Sequence, residues 1–310
     1  MAPLSDVSQS IARGEHRIAE TKVGQMNLRE KTTLGRTGLR TSRLGLAPGV
    51  ETRDVERAFE QGVNYLYWGS LRKPAFGQGI ANLAPKHRGE MIVVVQSYTR
   101  AGWMMEGSLD RALKKLRIEY ADFLLLGWWQ SEPPARILDA ALELKAKGKA
   151  RHLLISCHNR PLFQSLAANP AYGAVMVRYN AAHPGAEREV FPVLGDPKPG
   201  VVSYTATRWG ALLDPKHTPA GEPVPRGSDC YRFALTNPSV DVCLTGANNA
   251  AQLDEALAAL DRGPMTADEL AWMKRVGASV RGAAVLETGN APIQLLDRLV
   301  CGKKSLPRPS

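Results

Sequence analysis

Aromatic and cationic residues recur where short apolar segments of this sequence end. Aromatic rings bind planar groups by stacking, whereas guanidinium groups make paired hydrogen bonds with carboxylates and phosphates. We therefore expect these residues to bind a planar or anionic small molecule. The candidates for such a pocket are Trp68, Arg100, Trp128, Trp129 and Arg178.

Four residues at these positions are candidates for catalysis. Tyr67 and Tyr98 could donate a proton, and Arg72 and His158 are the other two catalytic candidates. His158 lies two residues after Ser156 and close to a predicted strand end, although a lone histidine is more often structural. The six histidines show no spacing typical of metal ligands, so we expect no metal site.

Strand and helix patterns alternate along the chain. Apolar runs typical of buried parallel strands are predicted at 44–47, 63–67, 91–95, 120–126, 151–156, 174–179, 201–205 and 241–245. Helical patterns are predicted at 53–61, 78–83, 109–116, 135–147, 161–168, 229–236, 251–260 and 267–280, with a loop or short helix at 187–194. Two short apolar segments around Gly38 predict a hairpin before the first strand.

This alternation predicts an α/β protein, a (β/α)8 TIM barrel with an N-terminal β-hairpin. An open doubly wound sheet is the alternative, and it would usually carry a Gly-rich phosphate loop after its first strand. Leu44-Gly-Leu-Ala-Pro-Gly-Val50 does not form one, because Pro48 and the missing third glycine break the spacing. We expect a mobile leader at residues 1–31, the barrel at 32–282 and a tail at 283–310.

Composition narrows the range of partners. The 310-residue chain has a net charge of +10, but its basic residues are scattered and no aromatic-interleaved RNA motif accompanies them. We therefore expect no nucleic-acid partner, while anionic small molecules are favoured. No apolar run approaches the roughly 20 residues of a membrane span, and residues 1–31 lack the apolar core of a signal peptide. Four scattered cysteines fit a reducing compartment, so we expect a cytoplasmic protein with no membrane partner. The sequence leaves its oligomeric state open.

Several segments carry a resemblance to a known family. They are Leu34-Gly-Arg-Thr-Gly-Leu39, Gly62-Val-Asn64, Ser108-Leu-Asp-Arg-Ala-Leu-Lys-Lys-Leu-Arg117, Tyr179-Asn180 and Gly246-Ala247 with Gln252-Leu253. Each segment is weak alone, but in this order and spacing they resemble the aldo-keto reductase family over about residues 33–280. The resemblance implies a TIM barrel with its site at the carboxyl ends of the strands.

The family reduces carbonyl groups with NADPH, using an acid, a tyrosine, a lysine and a histidine. In the family the tyrosine protonates the carbonyl oxygen, and the lysine and the acid tune its acidity. By the resemblance these positions fall on Tyr67, Arg72, Ser97 (or its neighbour Gln96) and Gly127. All four residue types differ from the family's. The resemblance therefore implies that ordinary aldehyde and ketone reduction is weak or absent.

The resemblance also implies a dinucleotide site that is partly kept. The matching residues are Ser156, Asn180, Tyr204, Thr205, Gly246, Gln252 and Glu255. Asn248 and Asn249 replace a basic residue that contacts the 2′-phosphate, and Ala256 replaces a usual asparagine. We therefore expect NADP(H) or NAD(H) to bind with a reduced preference for the 2′-phosphate. The alternative is that the matching residues only pack or cap in an inherited scaffold.

Two classes of function remain open. The first is an enzyme, either an aldo-keto-reductase-like oxidoreductase with an unusual proton donor or a barrel redirected to non-redox lyase or isomerase chemistry. The second is a non-catalytic relative, a pseudoenzyme that binds a nucleotide, a small ligand or a protein partner. Fold alone does not separate them, because function depends on the site.

Overall fold

The structure is a computed structural model that describes residues 26–69 and 72–282. The strands are β1 (Thr32–Thr33), β2 (Arg40–Thr41), β3 (Leu44–Leu46), β4 (Tyr65–Trp68), β5 (Ile92–Ser97), β6 (Ala121–Trp129), β7 (Ala150–Cys157), β8 (Tyr172–Arg178), β9 (Gly200–Tyr204) and β10 (Val242–Leu244). The helices are α1 (Thr52–Glu60), α2 (Pro74–His87), α3 (Met105–Leu116), α4 (Ala135–Ala146), α5 (Phe163–Ala168), α6 (Ala186–Glu189), α7 (Gly227–Thr236), α8 (Ala250–Arg262) and α9 (Ala267–Gly282).

Strands β3 to β10 form a closed parallel barrel. They neighbour one another in chain order, and β10 pairs with β3 to complete the ring. Helical crossovers connect the parallel strands, and closure pairs the strand edges. The prediction of a (β/α)8 TIM barrel is confirmed.

The predicted N-terminal hairpin is also present, as the antiparallel pair β1–β2. Between its strands, Gly38 adopts φ 73°, a conformation that glycine takes without strain. Leu34 is fully buried among the side chains inside the barrel and lies against Gly200, the first residue of β9. The hairpin therefore plugs the amino-terminal end of the barrel and leaves the carboxyl end for a site.

The barrel has an inner and an outer apolar core. Side chains alternate along each strand, so that Tyr65 and Tyr67 point into the barrel while Leu66 and Trp68 point towards the helices. In β5, likewise, the interior contains Ile92. This alternation decides which strand-end residues reach the mouth of the barrel, by which we mean the space enclosed at the carboxyl ends of β3 to β10.

Some element boundaries differ from the predicted ones. Strand β4 begins at Tyr65 rather than at residue 63, because the backbone N–H of Val63 still bonds to Ala58 in the turn that ends α1. Helix α2 is longer than the predicted 78–83, with Pro74 in its first turn, where a missing N–H costs nothing.

Residues 26–31 of the predicted leader pack against the barrel. Leu28 is 1% exposed, and the guanidinium Nε of Arg29 lies 2.6 Å from a carboxylate oxygen of Asp261. The rest of the leader and the predicted tail, 283–310, lie outside the described residues, so the division into three segments stays a prediction. Within the described ranges, no helix has the length and apolar character needed to cross a membrane.

Candidate functional site

The mouth of the barrel is lined by the last inward-facing residue of each strand. Tyr67 belongs to the inner core, and Gln96 follows the inward-facing Val94 by two positions. The same alternation points Ser156 and Arg178 inwards, above Leu154 and Met176 of the inner core. Tyr204 packs against the same core from β9.

Tyr67, Gln96 and Gly127 occupy one corner of the mouth. The hydroxyl of Tyr67 donates a hydrogen bond to Oε1 of Gln96, and both side chains are buried. A Cβ at residue 127 would overlap Nε2 of Gln96, so the carboxamide fills the space in front of Gly127. A Cβ at residue 69 would overlap the Tyr67 ring in the same way. These glycines therefore allow the Tyr67–Gln96 pair to fit.

Arg72 covers this corner from outside. Its guanidinium donates to the backbone oxygen of Gln96 at 2.7 Å and lies 5.7 Å from the centroid of the Trp68 ring. Burial, with a further contribution from Arg111, lowers the pKa of Arg72, but an arginine remains charged at neutral pH. Ser97 points away from the barrel axis, so Gln96 is the β5 residue that reaches the mouth.

Four rings form a row across the mouth, from Tyr98 through Trp128 and His158 to Tyr204. Their centroids are 6.2, 5.6 and 5.9 Å apart, and each pair meets edge to face. The hydroxyl of Tyr204 lies 3.1 Å from Nε2 of His158. Edge-to-face contacts of this kind favour a fixed arrangement of rings. We call this row the aromatic row.

His158 is neutral at ordinary pH. Burial, and to a smaller degree the charge of Arg178, lower its pKa to about 4. A neutral imidazole has one nitrogen that donates and one that accepts a hydrogen bond. His158 and Tyr204 can therefore share a proton-transfer role, or fix each other's orientation in a ligand pocket.

A bulge in β6 places Trp128 in the aromatic row. The register between β6 and β7 shifts between Leu126 and Trp129, and Trp128 adopts φ 58°, which is unusual for a bulky residue. Arg100 holds this backbone, because its guanidinium donates to the carbonyl oxygen of Trp128 at 2.7 Å. Backbone strain of this kind clusters at functional sites.

Two of the predicted pocket residues lie elsewhere. Trp68 and Trp129 belong to the outer core, between the strands and the helices, and both are buried. Trp68 donates its indole N–H to the backbone oxygen of Lys73 at 3.1 Å, and the guanidinium of Arg100 stacks over the Trp129 ring at 3.9 Å. The structure therefore brings together Tyr98, Trp128 and His158 but leaves these two tryptophans outside the mouth.

Four of the predicted dinucleotide-binding residues, Ser156, Asn180, Tyr204 and Thr205, lie at or just after the carboxyl ends of β7, β8 and β9. Ser156 is buried near the carboxyl end of β7, and Tyr204 is the last residue of β9. Asn180 donates to the backbone oxygen of Thr205 at 2.8 Å, which ties the loop after β8 to the loop after β9. Thr205 adopts φ 59° and donates its hydroxyl to the carbonyl oxygen of Tyr204.

The other predicted dinucleotide-binding residues are Gly246, which lies between β10 and α8, and Gln252 and Glu255, which lie in the first turns of α8. Gly246 is exposed, and a Cβ there would have no heavy atom within 4 Å. Gln252 is exposed and accepts the backbone N–H of Asn248 at 2.9 Å. Glu255 accepts the hydroxyl of Ser228 at 2.6 Å, which links α7 to α8. These side chains therefore have a structural role whether or not a nucleotide binds.

Sequence reasoning missed a cationic group beside the mouth. Nη1 of Arg208 lies 2.7 Å from Nε2 of His183, and Arg208 is buried. The two residues come from different loops, after β9 and β8, so neither has a local sequence signal. Arg178 ends β8 next to them.

No group of three or more potential metal ligands occurs within residues 26–69 and 72–282. A groove of about 450 Å³ lies on the outer surface between α3 and α4, where the exposed Trp103 flanks Glu106 and Arg136. This groove lies outside the ring of strands and contains none of the predicted site residues.

Comparisons with known proteins agree with this geometry. A family model described as "Aldo/keto reductase family" matches residues 52–228, more than half of the chain. The holo form of aldo-keto reductase AKR11C1 from Bacillus halodurans is 19% identical, with a TM-score of 0.69 over 84% of this chain and 98% of that one. An aldo/keto reductase from Klebsiella pneumoniae, solved in complex with NADP and acetate, is 18% identical, with a TM-score of 0.67 over 80% of this chain and 96% of that one.

Proposed function

This chain belongs to the aldo/keto reductase family of oxidoreductases, and we propose that it keeps a dinucleotide pocket but has lost ordinary carbonyl reduction. The arrangement of Tyr67, Gln96 and Gly127 is the observation that supports the loss of carbonyl reduction. By the resemblance, the family's acid and histidine correspond to Tyr67 and Gly127, and its lysine to Ser97 or to Gln96, which is the one that reaches this corner. On this proposal the corner holds a phenol, an amide and a glycine. The Gln96 carboxamide also fills the space that a side chain at residue 127 would need.

The loss matters because the family's four groups act as a unit. A tyrosine donates a proton efficiently only when its pKa lies near the working pH, and a neighbouring cation lowers that pKa. Tyr67 donates to the amide oxygen of Gln96, and the cation beside this corner, Arg72, is bonded to the backbone oxygen of Gln96 and is an arginine rather than the family's lysine. Single deletions from such a unit cost orders of magnitude in rate. We therefore expect aldehyde and ketone reduction to be very slow or absent.

The pocket for NADP(H) or NAD(H) has support of a different kind. Open space at Gly246 and the exposed side chain of Gln252 fit an adenosine beside α8, and Tyr204 would lie against the nicotinamide. A bound nicotinamide dinucleotide supplies a hydride donor or acceptor. Asn248 and Asn249 carry no charge for a 2′-phosphate contact, so we propose little preference for NADP(H) over NAD(H). The buried thiols of Cys230 and Cys243, which form no disulfide among the described residues, agree with a cytoplasmic location, which is also a proposal.

Titration with NADP(H) and NAD(H), followed by calorimetry, tests the dinucleotide pocket. We expect both to bind, and we expect Tyr204→Ala to weaken binding several-fold because an aromatic face is lost. Trp103→Ala is the matched control, since Trp103 is 84% exposed and lies on the outer groove. Absence of binding to the unmodified chain would rule out the dinucleotide pocket and favour a non-redox ligand. Equal binding by the two variants would exclude Tyr204 from the pocket.

A further inference from the structure

The groove on the outer surface lies between the start of α3 and one face of α4, and its volume is about 450 Å³. A Cβ at residue 102 would lie 2.7 Å from the backbone oxygen of Arg136 and 3.1 Å from the Cβ of Ala140. Gly102 therefore allows the segment before α3 to lie directly against α4. The small side chain of Ala140 leaves the space above it open. We call this cavity the outer groove.

Trp103 stands beside the outer groove with most of its ring in solvent. It is 84% exposed, the largest fraction among the exposed large apolar side chains of the described residues. Its neighbour Met104 is exposed as well, and so is Leu142 of α4. Covering an indole removes about 150–250 Å² of surface from water, and tryptophan is enriched among the residues that dominate binding energy at protein interfaces. Trp103 therefore indicates that a partner covers this groove.

The α4 side of the outer groove carries its charges in a simple order. Residues 136, 139, 140 and 143 recur at spacings of three and four, so they share one face of the helix. The basic Arg136 begins this face, the small Ala140 lies near its middle and the acidic Glu143 lies near its end. Glu143 pairs with Lys147, just after the helix, at 2.8 Å, whereas Arg136 forms no ion pair within the described ranges.

This order of charges is complementary to itself when two copies of α4 run antiparallel. A twofold axis between residues 139 and 140 places Arg136 of each copy opposite the partner's Glu143, because the two positions are equally far from the axis. Ala140 near the axis allows the helices to approach closely, since the distance between packed helices depends on the side chains at the contact. Parallel helices would instead bring like charges together, which disfavours association.

The net charge of the chain also favours this face for self-association. Two chains with a net charge of +10 repel each other over most of their surfaces. The lining of the outer groove, however, contains three carboxylates and one guanidinium. Lys147 and Lys149 bind one of these carboxylates, that of Glu106, at 2.9 and 2.8 Å. The face is therefore close to neutral, so two copies repel each other less here than elsewhere.

We propose that the outer groove is the interface of a homodimer in which two copies of α4 pack antiparallel about a twofold axis. Arg136 of each copy pairs with the partner's Glu143, and each Trp103 covers α4 of the other copy. The interface contains none of the residues that line the mouth. The inference therefore goes beyond the proposed function and does not depend on it.

The molar mass of the full chain in solution is the first test. Size-exclusion chromatography with light scattering, at chain concentrations up to about 100 μM, should give twice the mass of one chain. One chain has a mass of 33.7 kDa. The mass of a single chain at every concentration would overturn the proposal and leave the groove to a different partner.

Charge reversal then locates the interface, with dissociation constants measured by sedimentation equilibrium. Arg136→Glu should weaken dimerisation about tenfold or more, because it places acidic groups opposite each other at two symmetric positions. Adding Glu143→Arg to the same chain restores opposite charges and should recover most of the loss. Lys274→Glu is the matched control, since it makes the same reversal at an exposed position of α9, which does not line the groove. Equal weakening by Arg136→Glu and Lys274→Glu, or no recovery in the double variant, would overturn the proposal.

Removal of the indole tests the second contact. Trp103→Ala should weaken dimerisation about tenfold or more, because each dimer loses two buried rings. Trp209→Ala is the matched control, since Trp209 is the other exposed tryptophan of the described residues and lies in the loop after β9. All of the substituted side chains are exposed, so the variants should fold, and circular dichroism checks this. Equal dimerisation of the two tryptophan variants would show that the interface lies elsewhere, and the proposal would be wrong.

Discussion

The carboxamide of Gln96 fills the space in front of Gly127. A Cβ at residue 127 would overlap Nε2 of Gln96, and the Oε1 of the same amide accepts the hydroxyl of Tyr67. One residue of β5 therefore links the ends of β4 and β6, at the positions where the resemblance predicts an acid and a histidine. The corner is filled by a buried, neutral, hydrogen-bonded group. We therefore expect that introducing a single family residue at this corner does not restore carbonyl reduction, because the Gln96 amide occupies the space.

Gly127→His is the first test. The new side chain must displace the Gln96 amide, so we expect the free energy of unfolding to fall by about 1–3 kcal/mol, as in other overpacked sites. Urea denaturation measures it. Gly89→His is the matched control, because a Cβ at Gly89 meets no heavy atom within 4 Å. Combining Gly127→His with Gln96→Ala should recover part of the loss, and additive losses would contradict the overlap.

Tyr67→Phe tests the other end of the same amide. The substitution keeps the ring but leaves the buried Oε1 of Gln96 without its donor, which costs about 1–3 kcal/mol. Thermal or urea unfolding reports the change. Tyr120→Phe serves as the control, because the Tyr120 hydroxyl has no hydrogen bond among the described residues, although its ring stacks with Arg88. An equal effect of both substitutions would mean that the Tyr67–Gln96 bond contributes little.

Much of the fold was predictable because its signals are local. Each parallel strand is an apolar run such as residues 92–95, and helices separate these runs, so the barrel followed from their alternation. The hairpin was predictable from two apolar segments around Gly38. Helix ends were less predictable. In α2, Pro74 is a signal for a helix start, but Pro85 predicts that the helix ends before it, whereas the helix continues to His87.

The site was less predictable, because it depends on side-chain direction and on contacts between distant residues. Alternation from Val94 points Gln96 rather than Ser97 into the mouth, and this could have been inferred from the sequence. The bulge between Leu126 and Trp129 has a local signal in Gly127, since a glycine inside a strand often marks a bulge, but the contact of Trp128 with Tyr98 and His158 depends on distant residues. The contact between His183 and Arg208 was not predictable either, because the two residues belong to separate loops, after β8 and after β9.

Asn248→Arg tests the expected cofactor preference. Asn248 is exposed at the start of α8 and bonds only within that turn among the described residues, where its Nδ2 donates to Gly246 at 3.2 Å. An arginine there should contact a 2′-phosphate and tighten NADP(H) binding about tenfold, in line with a charge-assisted bond of about 1.5–3 kcal/mol. NAD(H), which lacks this phosphate, is the control ligand and should bind unchanged. Equal tightening of both would indicate general attraction rather than a specific contact.

Acid should destabilise the protein through His158 and His183. Their pKa values in the folded state are lowered to about 4 and about 3, mainly by burial, below the value of about 6.5 for an unfolded histidine. Between about pH 3 and pH 6.5 the unfolded chain therefore binds more protons than the folded protein. The free energy of unfolding falls as the pH falls below about 6.5. Urea unfolding between pH 7 and pH 4.5 measures the slope.

His183→Asn should make this slope shallower, because one of the two groups no longer titrates. His217→Asn is the control, since the imidazole of His217 makes one hydrogen bond among the described residues, between Nδ1 and the backbone oxygen of Ala211 at 3.3 Å. The cations facing His183 are Arg178, Arg208, Arg281 and Arg160, which keep their charge over this range. Identical slopes for the two variants would contradict the account of His183.

Oxidation of NADPH and NADH in the presence of model aldehydes is the most direct test of the central claim. The assay uses the full chain at cofactor concentrations that saturate binding in the titration. We predict bound dinucleotide with turnover far below the rates of about 1 per second or more that are typical of enzymes. Aldehyde turnover at about 1 per second or faster would show that the corner formed by Tyr67, Gln96 and Gly127 does not abolish carbonyl reduction, and the account would be wrong.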